Sequence, residues 1–520
     1  MTRRKKANCG LAPVFHAACP AKLDRTRKET RRGKKGYLTP AVMRMQNLKK
    51  RWHGEGGYGQ VLAIAVPLIL STASWSVQHF VDRMFLTWYA PEAIAAALPA
   101  GMVYFSVVSI FMGTAGYAST FVAQYYGAEQ YHRIGPALWQ GVWISVPAGV
   151  VLICMIPFAE SIFQWVGHDE VVQHSEVAYF RIICLGGGPY IASYALSGFY
   201  SGRGKTWPVM WVNILATAVN LILDYALIFG HWDFPEMGIQ GAAIATVAAG
   251  IFSFLVLLGL IVVKDHNRKY HTISGWRPEK HLFKRLLKYG VPSGVQFFLE
   301  MTSFTTFILL VGRLGTASLA ASNIAFNINT LAFMPMIGCG IAISMLVGQY
   351  LGAEQPDLAQ KSVYSGFHLT FVYMTGIAVA YVLLPDIFVA PFALNADPQV
   401  FAEIYQYSIV LLRFVAVYSI FDTMNIIFTS AIKGAGDTRF VMLTTVILSL
   451  CVLIIPTYMA IVVFKYGLMV SWVLATVYII ITGLTFYLRF LGGKWKTMRI
   501  IETPPRAART GSIKWSRDVR

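Results

Sequence analysis

The chain has 520 residues, of which 56% are hydrophobic and only 13% charged, with a mean hydropathy of +0.54. Soluble domains carry about 25% charged residues, so this composition excludes a water-soluble multidomain protein. A net charge of +19 would suit a nucleic-acid binder, but its placement does not: residues 1–58 hold 16 Lys and Arg, 264–288 hold 8, and the end from Arg489 holds 9.

The first 58 residues have no apolar h-region, so they are not read as a cleavable signal peptide. They are expected to form a basic, disordered cytoplasmic tail. From there, apolar runs follow one another to about residue 490. Many exceed the roughly 20 residues that cross a bilayer. Twelve spans are predicted, near 60–86, 94–122, 137–162, 178–200, 207–230, 239–264, 286–312, 318–347, 362–386, 404–432, 439–464 and 468–490. Prolines within them (Pro67, Pro147, Pro189, Pro292, Pro335) are tolerated because neighbouring helices satisfy the freed backbone groups.

The fold class is therefore an all-α polytopic membrane protein with two six-helix lobes, 59–264 and 286–490. A linker at 265–285 joins them, and a second basic tail covers 491–520. The outer loops are acidic or neutral: GHDEVVQHSE at 167–176, GHWDFPEMG at 230–238 and LNADPQ at 394–399. Positive residues stay cytoplasmic. Both termini and the linker are thus expected on the cytoplasmic side of the plasma membrane, with the basic tails against anionic lipid rather than nucleic acid.

The division into lobes comes from a repeat. VAQYYGAEQ at 122–130 returns as VGQYLGAEQ at 347–355, an offset of 225. Pro67 matches Pro292 at the same offset. At offset 232, Arg181 matches Arg413, and Gly202, Gly204 and Thr206 match Gly434, Gly436 and Thr438. Six spans per copy is an even number, so both copies enter from the same side. Such parallel repeats occur in secondary transporters. Each nonapeptide is read as the turn after its repeat's second span, with Gly ending the helix.

No enzyme is expected. The six cysteines (Cys9, Cys19, Cys154, Cys184, Cys339, Cys451) have no metal or redox spacing. There is no HExxH, GxSxG or Walker loop, and KGAGDT at 433–438 lacks the P-loop pattern. No bound cofactor is called for. The ionisable groups well inside spans are Asp82, Arg181, Asp224, Glu300, Arg413 and Asp422. Each costs about 2.5–3.5 kcal/mol at a helix centre. The two arginines are repeat-matched and are read as scaffold or headgroup contacts. The carboxylates are not matched: Phe307 stands opposite Asp82, Trp75 opposite Glu300 and Tyr190 opposite Asp422. Tyr418 with Asp422, and Asn220 with Asp224, are one turn apart on a shared helical face. His79 and Asp82 are i,i+3. Two clusters follow, Asp82–Asn220–Asp224 and Glu300–Tyr418–Asp422. Both suit a hard cation or a proton; interhelical hydrogen bonding alone is the structural alternative.

The residues also resemble the multidrug and toxic compound extrusion (MATE) family over about 60–490. The resemblance rests on AVPLILSTASWSVQHFVDRMFL, both nonapeptides, VNLILDYALIFG, GIQGAAIAT, VPSGVQFFLEMTSF and YSIFDTMNIIFTSAIKGAGDT. It implies two lobes around a cleft that exports organic cations in exchange for Na⁺ or H⁺. In the NorM branch, a Glu of span seven and a Tyr and an Asp of span ten form a cation site, which maps onto Glu300, Tyr418 and Asp422. Other members use an N-lobe site, which maps onto Asp82, Asn220, Asp224 and Thr246. The expectation is Na⁺ at Glu300 and Asp422, with H⁺ through the N-lobe as the alternative. Phe297, Phe304 and Met334 are candidate cargo contacts, and the chain is expected to act as a monomer. A flippase of the same superfamily is the other functional class, but its pyrophosphate cargo would want cleft-facing Arg or Lys.

Overall fold

The computed structural model describes residues 51–166, 168–393 and 398–502. The tail at 1–50, most of the outer loop at 394–397 and the end at 503–520 lie outside the described residues. Among the described residues, twelve helices are long and apolar enough to cross a membrane, and there is no strand. They are α1 (Tyr58–Tyr89), α2 (Glu92–Gly127), α3 (Tyr131–Trp165), α4 (Glu170–Ser201), α5 (Trp207–Phe229), α6 (Ile239–Ile261), α7 (Lys280–Gly312), α8 (Thr316–Gly352), α9 (Pro356–Leu383), α10 (Phe401–Ala435), α11 (Thr438–Val463) and α12 (Leu468–Leu491).

The number agrees with the apolar runs, but several ends do not. α4, α7 and α9 begin six to eight residues before their apolar runs, at Glu170, Lys280 and Pro356. Their first turns are polar, and a helix that continues out of hydrocarbon into water leaves no trace in hydropathy. On α9, Pro356 stands at the first helical position, where its missing N–H costs nothing. α11 widens into π-type turns at Ser449–Ile454 and Met459–Val463 on either side of Pro456. Proline cannot donate to the ladder and its ring crowds the preceding turn, so the helix opens around it.

From Trp52 onward the chain is one compact unit, and equivalent helices of the two repeats pack alike. α4 packs on α2, α3 and α6, while α10 packs on α8, α9 and α12; across the repeats, α1 lies on α8 and α2 on α7. The terminal-face half of each repeat's first helix crosses into the other repeat's core. Val61, Ile64, Ala65 and Leu68 of α1 are buried with Ile343, Val363 and Phe428 of the second repeat. Leu282 and Leu286 of α7 are buried with Phe121, Val122 and Ile134 of the first. Matched prolines, Pro67 and Pro292, lie inside these crossing helices.

The face carrying Trp52 and Glu502, here the terminal face, is closed by the two nonapeptides. Their glycines do not end the helices by adopting a left-handed conformation; the residues with positive φ are Glu129 (57°) and Glu354 (61°). Gly127 and Gly352 are instead points of contact. A Cβ on Gly127 would lie 1.9 Å from the Gln349 carbonyl oxygen, and one on Gly352 2.1 Å from that of Gln124. The two copies therefore pack directly on one another. Gln124 Nε2 donates to the Gly434 carbonyl at 3.1 Å, and Gln349 Nε2 to the Gly202 carbonyl at 2.7 Å.

The segment after α12 is a strap across this face rather than a loose tail. Trp495 stacks on Phe490 with centroids 4.8 Å apart, in the second core. Five residues on, Ile500 and Ile501 are buried in the first. The Ile500 N–H donates to Gln124 Oε1 at 3.0 Å, and Tyr125 donates to Glu502 at 2.8 Å. The linker is similarly fixed under the first repeat: Trp139 and Trp143 donate to the carbonyls of Thr272 and Trp276.

Toward the opposite face, Phe105 of α2 and Phe297 of α7 meet edge-to-face at 5.9 Å, and Met102, Met301 and Phe304 are exposed.

Candidate functional site

The first cluster is built by α1, α4, α5 and α6. Asp82 and Asp224 lie side by side. Asp224 is fully buried, and neither of its carboxylate oxygens meets a hydrogen-bond donor; Asp82 Oδ1 is also buried without one. One turn before Asp224, Asn220 is fully buried with both amide atoms unpartnered. A buried polar group left unpaired costs about 1–3 kcal/mol. Four of these five atoms are oxygens, and four unpartnered oxygens in one place suit positive charge, either a proton or a hard cation. Tyr179 of α4 stands beside both carboxylates and beside Thr246. Thr246 thus falls in the cluster as expected. Tyr179 was not anticipated; one tyrosine among 26 carries no spacing signal.

The second cluster is built by α7, α10 and α12, and is already partly satisfied. Gln296 Nε2 donates to Glu300 Oε1, one turn away on α7. Asn425 Nδ2 donates to Asp422 Oδ1 at 3.2 Å. Glu300 and Asp422 lie close enough to feel each other's charge, and Tyr478 of α12 faces both. Tyr418 is 3% exposed and lies near Asp422, but no hydrogen bond joins them among the described residues. Lys433 enters from the end of α10: its Nζ donates to Gln296 Oε1 at 2.7 Å. This lysine belongs to the KGAGDT stretch set aside for lacking a P-loop, so its role was missed.

The remaining candidates fall outside these clusters. His79 turns edge-on to Trp75 at 4.8 Å, and Trp75 lies 6.1 Å from Phe105. With Phe297 they form an aromatic ladder from α1 through α2 to α7. Phe304 packs on Phe326 at 4.4 Å, and Met334 is half-buried. Arg181 pairs with Glu160 at 2.9 Å near the face opposite the termini, and Arg413 is exposed. Among the described residues no three His, Cys, Asp or Glu side chains gather as a metal site. Either carboxylate pair would hold a cation only with help from neutral oxygens of Asn, Thr, Tyr or Gln.

A family model described as MatE matches residues 67–226 and 292–459. Curated relatives include the probable multidrug resistance protein NorM of Agrobacterium fabrum, 26% identical over 383 residues, covering 73% of this chain and 81% of the relative. The protein of the same name from Thermotoga maritima is 24% identical over 449 residues, covering 85% and 94%. Among solved structures, a MOP superfamily transporter from Pyrococcus furiosus, described by the reverse polarity of its binding pocket, aligns with TM-score 0.78 at 18% identity, over 86% of this chain and 98% of that one. An outward-facing multidrug resistance MATE family transporter aligns with TM-score 0.77 at 17% identity, over 86% and 98%.

Proposed function

The chain belongs to the MatE family of membrane transporters, and from that premise we propose that it is a secondary multidrug efflux antiporter. Its cargo is amphipathic organic cations, exported in exchange for Na⁺ or H⁺. The observation that carries this reading is the set of four intramembrane carboxylates in two repeats that pack directly on one another at one face, with Asp82 Oδ1 and both Asp224 oxygens lacking donors. The terminal face is cytoplasmic, because the basic linker and the points from which both basic ends continue lie there, and the protein works as a monomer in the plasma membrane with its basic ends against anionic lipid.

Cargo enters from the cytoplasm or inner leaflet when the nonapeptide contact is open. It rests against the aromatic ladder, and the carboxylates offset its charge. The repeats then rock so that the cargo is exposed to the outside. Na⁺ from outside binds Glu300 and Asp422, with neutral oxygens completing its shell. The Asp82–Asp224 pair takes a proton or holds the cargo's charge, with Asn220 and Thr246 adjacent. Ion and cargo draw on the same negative charge, so each weakens the other; antiport needs a coupling of about 1–3 kcal/mol. The test is ethidium efflux from loaded vesicles, with a Na⁺ gradient and a pH gradient imposed separately. One gradient should accelerate efflux, and acceleration by neither would overturn the reading.

A further inference from the structure

We propose that Lys433 is a built-in counter-cation of the Glu300–Asp422 site and makes it select cargo carrying one positive charge over cargo carrying two. The proposal rests on the organic-cation reading above.

Three observations carry it. First, Lys433 reaches the site through a defined path: its ammonium donates to Gln296 Oε1, and Gln296 donates from its other amide atom to Glu300. Gln296 is 3% exposed, so the path is held within the protein. Second, the lysine backbone is pinned from the other repeat. Tyr117 donates to the Lys433 carbonyl at 2.7 Å, and Gln124 to the next carbonyl at 3.1 Å. Third, Arg83, the cation whose charge reaches Asp82, stands exposed on α1, where solvent screens it, whereas Lys433 is held to its site through a buried glutamine.

The charge count then differs between the clusters. Glu300 and Asp422 supply two negative charges and Lys433 one positive charge, while the amide of Gln296 relays the contact without neutralising it. One incoming cation balances this site. A second positive charge on the same cargo meets the lysine's field. Two unit charges about 10 Å apart at an effective dielectric of ~20 change binding on the order of tenfold.

Ethidium and propidium separate the alternatives. They share the phenanthridinium ring, and propidium adds a quaternary ammonium group. Binding of each to the purified full-length protein is followed by fluorescence polarisation. The wild type should favour ethidium. Lys433→Met, which removes the charge at similar length, should shift the ratio toward propidium on the order of tenfold, and Lys433→Arg should retain the wild-type ratio. If Lys433→Met does not fold, Lys433→Gln, which keeps a donor for Gln296, is read in the same way. An unchanged ratio in the neutral variant, with both dyes still bound, overturns the proposal and leaves the antiport reading standing. So does an Arg variant that shifts as far as Met. A wild type that binds neither dye removes the organic-cation reading and the proposal with it.

Discussion

Gln124 and Gln349 are repeat-matched, and each sends its amide across to a glycine carbonyl in the other repeat. Asp82 and Glu300 are not matched; the positions opposite them hold Phe307, buried against Trp472 of the second repeat, and Trp75, between His79 and Phe105. The terminal face thus keeps the symmetry of the repeat, and the carboxylate clusters abandon it. The physical demands differ. Closing a gate between two copies of one unit requires only that each copy fit the other, and identical surfaces meet that requirement around a two-fold axis. Telling an ion from a cargo requires two unlike sites, which identical copies cannot provide.

The largest expected effect tests the unlike part. Glu300→Gln with Asp422→Asn should reduce Na⁺-stimulated efflux to the level of empty vesicles while the protein still inserts. The amides keep the size and oxygens of the side chains but lack the charge that offsets Na⁺ dehydration. Asp82→Asn with Asp224→Asn should instead impair cargo handling and any dependence on external pH. Full Na⁺ stimulation in the first double variant would reverse the assignment of the two clusters.

The like part is tested next. Gly127→Ala and Gly352→Ala each push a methyl group into a carbonyl of the opposite copy, an overpacking that costs typically 1–3 kcal/mol. The closed terminal face loses that stability, so a lone cysteine placed at Thr114, buried beneath it, should react with thiol reagents on the order of tenfold faster. The two variants should agree within about threefold. A response from one alone would mean that the face is not symmetric in energy.

How much of this was legible follows the same division. Twelve spans, the repeat and the six intramembrane charges could be read because bilayer thickness and the cost of charge in hydrocarbon leave direct marks on sequence. The nonapeptides could be found but not explained, since a glycine that ends a helix and a glycine that admits a neighbour's backbone look alike in one chain. Lys433 was hidden for another reason. It stands at the end of its span, where a lysine reads as a headgroup anchor, and only the packing reveals that its four methylenes carry the charge back inward. The strap was hidden because Arg499 marks it as part of a basic tail, although Ile500 and Ile501 are apolar enough to enter a core.

A smaller effect sharpens the contrast between the carboxylate pairs. Asp224→Asn would place an amide donor beside the unpartnered oxygen of Asp82, and should stabilise the ion-free protein by about 1 kcal/mol. Glu300→Gln should gain less, because Gln296 already donates to Glu300. Thermal unfolding in Na⁺-free detergent solution reads both. Equal gains would mean that the two pairs are alike in charge and that the asymmetry drawn here is only one of residue names.

The smallest effect, that of Glu502→Gln, lies at the strap, which crosses both repeats at the terminal face. Partial burial alone would push the Glu502 carboxyl up; the Tyr125 hydroxyl, Arg285 and Arg133 outweigh it and hold the group below the ordinary Glu value. A folded value below the unfolded one means that the contribution is present above the unfolded value, near 4.3, and is lost as pH falls through the folded one. At neutral pH the anchor is therefore fully formed. Glu502 remains partly exposed, so the ion pair is screened, and Glu502→Gln should cost only about 0.2–1 kcal/mol. The strap's apolar part is worth more: Ile500→Ala removes a buried side chain from the first core and should cost about 2 kcal/mol or more. If Glu502→Gln loosens the face as much as Ile500→Ala does, measured by thiol reactivity at position 114, the strap is held by charge. If it does not, the strap is held by burial, and salt should leave the closed face almost unchanged.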